Sequence, residues 1–164
     1  MPLVPGKSWR YVAKTPLRSG TYRLRVNGET RVGLERGYLL ESESGNTKMA
    51  WSRNSLVVSQ MGGIEFHPPL TLLKPTEGKT SWTYSGTVKT PFAEENTRIR
   101  IMQEPAELKI GGISHSTILV TLTMRFQKQD IEWKNWFEKG RGILRQEQRN
   151  NGRFALSMEL IRED

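Results

Sequence analysis

Apolar residues recur at every second position through most of this chain, and short turn signals interrupt them. Tyr22, Leu24 and Val26 alternate with Thr21, Arg23 and Arg25, and Ile99 and Ile101 alternate with Arg98 and Arg100. Ile118, Val120, Leu122, Met124 and Phe126 form one face of the longest run, and Phe154, Leu156, Met158 and Leu160 repeat the pattern near the C-terminus. Period two is the signature of strands with one buried face. The punctuation falls at Asn27-Gly28, Arg36-Gly37, Ser44-Gly45-Asn46, Arg53-Asn54 and Gly62-Gly63. It continues at Gln103-Glu104-Pro105, Gly111-Gly112, Gln129-Asp130, Gly140-Arg141-Gly142 and Asn150-Asn151-Gly152. Only Ile131–Lys139 tolerates a short helix, and its apolar positions also fit a strand. The expectation is all-β: one antiparallel, strongly twisted sheet of about ten to twelve strands, forming a barrel or half-barrel.

Alternation also constrains the first hairpin. A two-residue turn at Asn27-Gly28 would set Val32 opposite Arg23 and cross the faces. A three-residue loop keeps Tyr22, Leu24 and Val32 together, with Gly28 left-handed in a bulge. Arg23, Arg25 and Arg31 then share the other face and form a candidate anion site. An exposed sheet face is the commoner explanation of such a group.

The chain carries a weak internal match. Gly6-Lys7-Ser8-Trp9-Arg10-Tyr11 parallels Gly78-Lys79-Thr80-Ser81-Trp82-Thr83-Tyr84, with one residue inserted. Strand Thr21–Val26 then corresponds to Thr97–Met102. Trp51 before Ser55–Gln60 corresponds to Trp136 before Ile143–Gln148. The reading is a single domain over 1–164, with two related β-meanders over 1–66 and 70–164.

At 164 residues one domain is the prior, and it can bury a core without staples. There is no cysteine, which excludes disulfides, thiolate metal sites and a cysteine nucleophile. No apolar run approaches the roughly 18 residues of a membrane helix. Met1-Pro2-Leu3 leads straight into a turn and a tryptophan without a leader pattern, as a processed envelope protein would. The net charge is +8, with 12 Lys/Arg against 6 Glu in residues 1–82 and 13 against 11 acidic residues in 83–164. A basic first half points to anionic partners such as nucleic acid or an anionic lipid surface. Base stacking is disfavoured, because Tyr22 and Arg23 point to opposite faces.

Catalytic chemistry is poorly supplied. His67 precedes Pro68-Pro69 and reads as extended linker. His115 lies between Ser114 and Ser116, whose side chains point away from it on a strand. Glu94-Glu95, Glu104 and Glu107 read as solvated charge. No metal-ligand spacing and no phosphate-cradling glycine loop occurs. The expectation is a non-enzymatic protein without cofactor.

The five tryptophans, Trp9, Trp51, Trp82, Trp133 and Trp136, are the most distinctive feature. They read as core anchors or as the lining of a concave apolar face that holds an acyl chain or similar molecule.

The stretch Leu70–Tyr84, LTLLKPTEGKTSWTY, resembles the opening of β-rich bacterial envelope domains of unknown function. Trp136–Gln148, WFEKGRGILRQEQ, resembles their aromatic, Lys-Gly-x-Gly and strand segment near the C-terminus. Such domains are similar in architecture to the half-barrels of bacterial lipoprotein carriers. The resemblance implies a periplasmic or envelope module that binds an apolar small molecule or an envelope protein, with glycines turning a sheet corner. It brings no catalytic motif. The lipid-attachment cysteine that many such domains carry is missing, which leaves a cytoplasmic location open.

Overall fold

A computed structural model describes residues 1–164, and its regular structure is all strand. The first six strands are β1 Ser8–Lys14, β2 Ser19–Val32, β3 Glu35–Glu41, β4 Thr47–Ser52, β5 Ser55–Met61 and β6 Ile64–Leu73. The second six are β7 Thr80–Lys89, β8 Glu94–Ile110, β9 Ile113–Phe126, β10 Gln129–Glu138, β11 Gly142–Asn150 and β12 Arg153–Glu163. Each pairs antiparallel with the next, and β12 returns to β1. The sheet is therefore a closed up-and-down barrel without a free edge, which removes the aggregation hazard of an open one.

Tight turns make this topology cheap. Arg53 and Asn54, Gln127 and Lys128, and Gly62 and Gly63 are consecutive pairs at positive φ. That is the geometry whose twist matches paired strands. Gly140 and Gly142 also take positive φ, at 79° and 108°, so the expected glycine corner is present.

Four expected turns are not turns; one of them, Gln129-Asp130, opens β10, the chain turning at Gln127-Lys128 just before it. Asn27 and Gly28 lie inside β2, where the register shifts between Val26 and Gly28 and Gly28 is not left-handed. The chain turns instead after Val32, at Gly33. Gly37 lies inside β3 because of crowding: a Cβ there would sit 2.6 Å from the Met49 carbonyl oxygen. Gln103-Glu104-Pro105 continues β8, and Ile131–Lys139 is strand β10 up to Glu138. His67 likewise lies within β6, not in a linker.

The inward positions make one core, from Trp9 and Val26 through Leu40, Leu56 and Phe66 to Ile99, Leu122 and Leu160. The wall is thin between β6 and β7, which align at only three positions, Glu65 to His67, although each strand has 10 residues. Pro68 and Pro69 follow and have no N–H to donate. Side chains replace the missing ladder. The Tyr84 hydroxyl donates to the Pro68 carbonyl at 2.7 Å, and Trp82 Nε1 donates to the Thr71 carbonyl at 3.0 Å. Fully buried Gln103 accepts from the Lys74 N–H at 2.9 Å and donates to the Lys74 and Thr76 carbonyls, both at 3.1 Å.

Candidate functional site

The strands alternate direction, so the hairpin turns β1–β2, β3–β4, β5–β6 and β11–β12 share one end of the barrel. Below that end the packing is incomplete. A cavity of about 250 Å³ remains, with mostly hydrophobic walls. Met49, Met61 and Met158 contribute flexible thioethers, which adapt to an irregular occupant. Tyr22, Leu24 and Leu156 complete the apolar lining near the turns.

The mouth lies between two hairpin tips. Ser44 and Gly62 line it, and Gly45 packs against the other tip, so that a Cβ on Gly45 would come 3.2 Å from the Gly63 nitrogen. Hydrogen bonds fix the mouth: the Tyr22 hydroxyl donates to Ser42 Oγ at 2.8 Å, and Ser44 Oγ donates to the Tyr22 hydroxyl at 3.1 Å.

Polar groups stand in the wall without partners. Trp133 is 4% exposed, and its indole N–H meets no acceptor. Asn135 is fully buried, and neither its amide nitrogen nor its oxygen is paired. Both are inward positions of β10. Trp133 lines the cavity, and Asn135 aligns with Gln146, which also lines it. Most buried side-chain polar atoms in proteins find a partner, and an orphan costs about 1–3 kcal/mol. The orphaned indole N–H of Trp133, a residue that lines the apolar void, therefore marks a place where a ligand's polar end could bond; Asn135, two residues along β10, sits behind the lining.

The five tryptophans do not line one site. Trp133 alone borders the cavity. Trp9 is fully buried in the core and donates to the Arg141 carbonyl at 2.7 Å. Trp51 lies at the opposite end of the barrel, 41% exposed, and donates to the Met1 carbonyl at 3.0 Å. Trp82 stitches β7 to β6, with the Lys74 ammonium 4.7 Å over its ring. Trp136 alternates with buried Asn135 and Phe137, which puts it on the outer side of the wall.

Arg23, Arg25 and Arg31 all lie on the outer face of β2, but not as a cluster. The hairpin that would have folded Arg31 back beside the others does not form. Arg31 lies six residues along the same strand from Arg25, about 20 Å away at the usual strand rise. Arg23 donates to Ser8 Oγ at 3.3 Å.

Sequence reasoning missed Asn135, Gln146 and Gln148 as lumen residues. The signal was a polar residue in an otherwise apolar inward series: Ile131, Trp133, Asn135, Phe137. At the far end a charged network closes the wall instead. Glu138 bonds His115 at 3.1 Å and Arg141 at 2.7 Å, Arg141 reaches Glu163, and Lys7 bonds Glu163 at 3.1 Å. Burial alone would push both carboxyls up. Hydrogen bonds from His115 and Arg141 to Glu138, and from Arg141 and Lys7 to Glu163, hold them below their ordinary value.

No family model and no curated protein matches this chain. Solved structures do. A candidate exported protein with a YmcC-like fold from Bacteroides fragilis superposes with a TM-score of 0.60 at 11% identity, covering 100% of this chain and 98% of that one. A candidate lipoprotein from Parabacteroides distasonis gives 0.59 at 11% identity, with 100% and 97% covered. The hypothetical lipoprotein YmcC from Escherichia coli gives 0.51 at 9% identity, with 99% and 89% covered. The fold is thus YmcC-like, the barrel of candidate bacterial envelope proteins.

Proposed function

We propose that this chain is a non-enzymatic module of the bacterial envelope whose barrel holds a small apolar molecule. The ligand enters between the β3–β4 and β5–β6 turns and lies against Met49, Met61 and Met158. Its polar end meets Trp133 and Asn135. The observation that carries this reading is the unpartnered indole N–H of Trp133 in the lining of a mostly apolar cavity, with the unpartnered Asn135 amide two residues along the same strand. The envelope setting draws support from the proteins that share the fold.

The cavity limits the ligand. At about 250 Å³ it falls below the roughly 300–1,000 Å³ of a drug-sized site. A short acyl chain or a similar fragment fits, and a whole phospholipid does not. The head group should both accept and donate hydrogen bonds, since an indole N–H and a complete amide await it. A hydroxyl or a protonated carboxyl does both.

Titration with decanol and decanoic acid tests the reading through tryptophan fluorescence. Saturable change that disappears in Trp133→Phe is expected, although four tryptophans remain. Binding should be nearly independent of salt and carry a negative heat-capacity change. Absence of any saturable change with either probe would overturn the proposal.

A further inference from the structure

The outer wall carries a second concavity, unrelated to the lumen. It spans β7 to β11, has a volume of about 650 Å³ and is open to solvent. Arg98, Arg100, Arg125 and Arg149 line it, together with Thr83 and Thr123. Register explains the gathering. Thr83 aligns with Arg100, Arg100 with Thr123, Thr123 with Glu132, and Glu132 with Arg149. These residues form one outward row across five strands. The β8–β9 register ends at Ile99 with Met124, just before Arg98 and Arg125, and on its other side Arg125 aligns with Asp130.

None of the four arginines takes part in the chain's ion pairs. Two carboxylates share the concavity, Asp130 and Glu132, but Glu132 bonds Lys134 at 3.4 Å. The site keeps two net positive charges and four guanidinium groups without carboxylate partners. Like charges directly opposite on neighbouring strands destabilise a sheet. Arg98 and Arg125, side by side where the β8–β9 register ends, are therefore a cost in the free protein, and Asp130, aligned with Arg125, forms no ion pair with it. An anion between the two arginines would remove that cost.

We propose that this concavity binds a phosphate-bearing ligand. A phosphate dianion offers acceptor oxygens to several guanidinium forks at once, whereas a single carboxylate is satisfied by one. The Thr83 and Thr123 hydroxyls add donors. The room beyond one phosphate accommodates the group that it esterifies. The charge arithmetic of the sequence pointed to residues 1–82, yet these four arginines all come from the other half.

The test uses inorganic phosphate and, separately, phosphatidylglycerol vesicles. Phosphate should raise the melting midpoint of the wild type, and less so at high salt. Arg98→Gln with Arg125→Gln should weaken phosphate binding by at least about tenfold. Arg23→Gln with Arg25→Gln should leave it unchanged. Without ligand the first double variant should melt no lower than the wild type, since it removes a neighbouring like-charge pair. A phosphate response without vesicle flotation places the phosphate on a soluble ligand. Flotation that the first double variant abolishes places it on a lipid headgroup. Wild-type protein that responds to neither probe overturns the proposal. So does equal loss in both double variants, and so does a first double variant that melts well below the wild type.

Discussion

The Tyr84 hydroxyl lies over Gly86, in the space where a side chain at that position would begin. From there it bonds the Pro68 carbonyl across the seam that the prolines leave open. A Cβ on Gly86 would also sit 2.5 Å from the His67 carbonyl oxygen. Gly86→Ala should therefore push β7 from β6 and cost about 1–3 kcal/mol, as overpacking does. Thermal melts check this, at about 2–4 °C per kcal/mol for a domain of this size. Tyr84→Phe should be destabilising alone and less than additive with Gly86→Ala, because both act on one contact.

Gln103 makes the second argument about this seam. Its side chain satisfies three backbone groups of the β6–β7 connection. Gln103→Leu keeps the volume and orphans the Lys74 N–H and the Thr76 carbonyl, whereas the Lys74 carbonyl keeps the Thr76 N–H at 2.9 Å, so about 1–3 kcal/mol should be lost. Hydrogen exchange at the Lys74 amide locates the effect. If that amide keeps its protection in the variant, Gln103 does not hold the connection.

The strands were legible because each buries one face, so alternation in the sequence survives into burial. The turns at Arg53-Asn54, Gly62-Gly63 and Gly111-Gly112 were legible because they need positive φ. Gly37 and Gly86 were not. Their glycines answer close approaches by Met49 and His67, long-range neighbours that no local pattern reveals. Two outcomes followed from register alone. It separated the five tryptophans, and it assembled four arginines from three strands, β8, β9 and β11, that no motif joins. The matched segments of the two halves do fall six strands apart, on β1 and β7, β2 and β8, β4 and β10, and β5 and β11.

Acid should attack the far end of the barrel first. Glu138 and Glu163 titrate below their ordinary value of 4.5 in the fold. As pH falls, the unfolded chain takes up these protons before the folded one does. The stability that the network contributes is therefore intact above about pH 4.5 and drains as pH drops through the lowered folded values. Melting curves from about pH 6 to about pH 3 should show this loss. Glu138→Gln with Glu163→Gln should melt lower at neutral pH and fall less steeply in acid. An unchanged acid slope would exclude these two carboxyls as its source.

Asn135 separates a cost to folding from a use in binding. Its amide is fully buried and unpaired in the free protein, so it opposes stability. Asn135→Leu has similar volume and carries no polar group. It should raise stability by about 1–3 kcal/mol, the penalty of an unmet buried polar group. An ordinary core asparagine with hidden partners would behave oppositely, and its loss would destabilise. Affinity should move the other way from stability. Decanol and decanoic acid should bind the variant more weakly, because their polar ends lose a partner that the cavity's apolar walls cannot replace. Decane has no such end and should bind both proteins alike. A variant that is more stable and loses affinity only for the two polar ligands identifies Asn135 as a group that the fold leaves unpaired and the ligand completes.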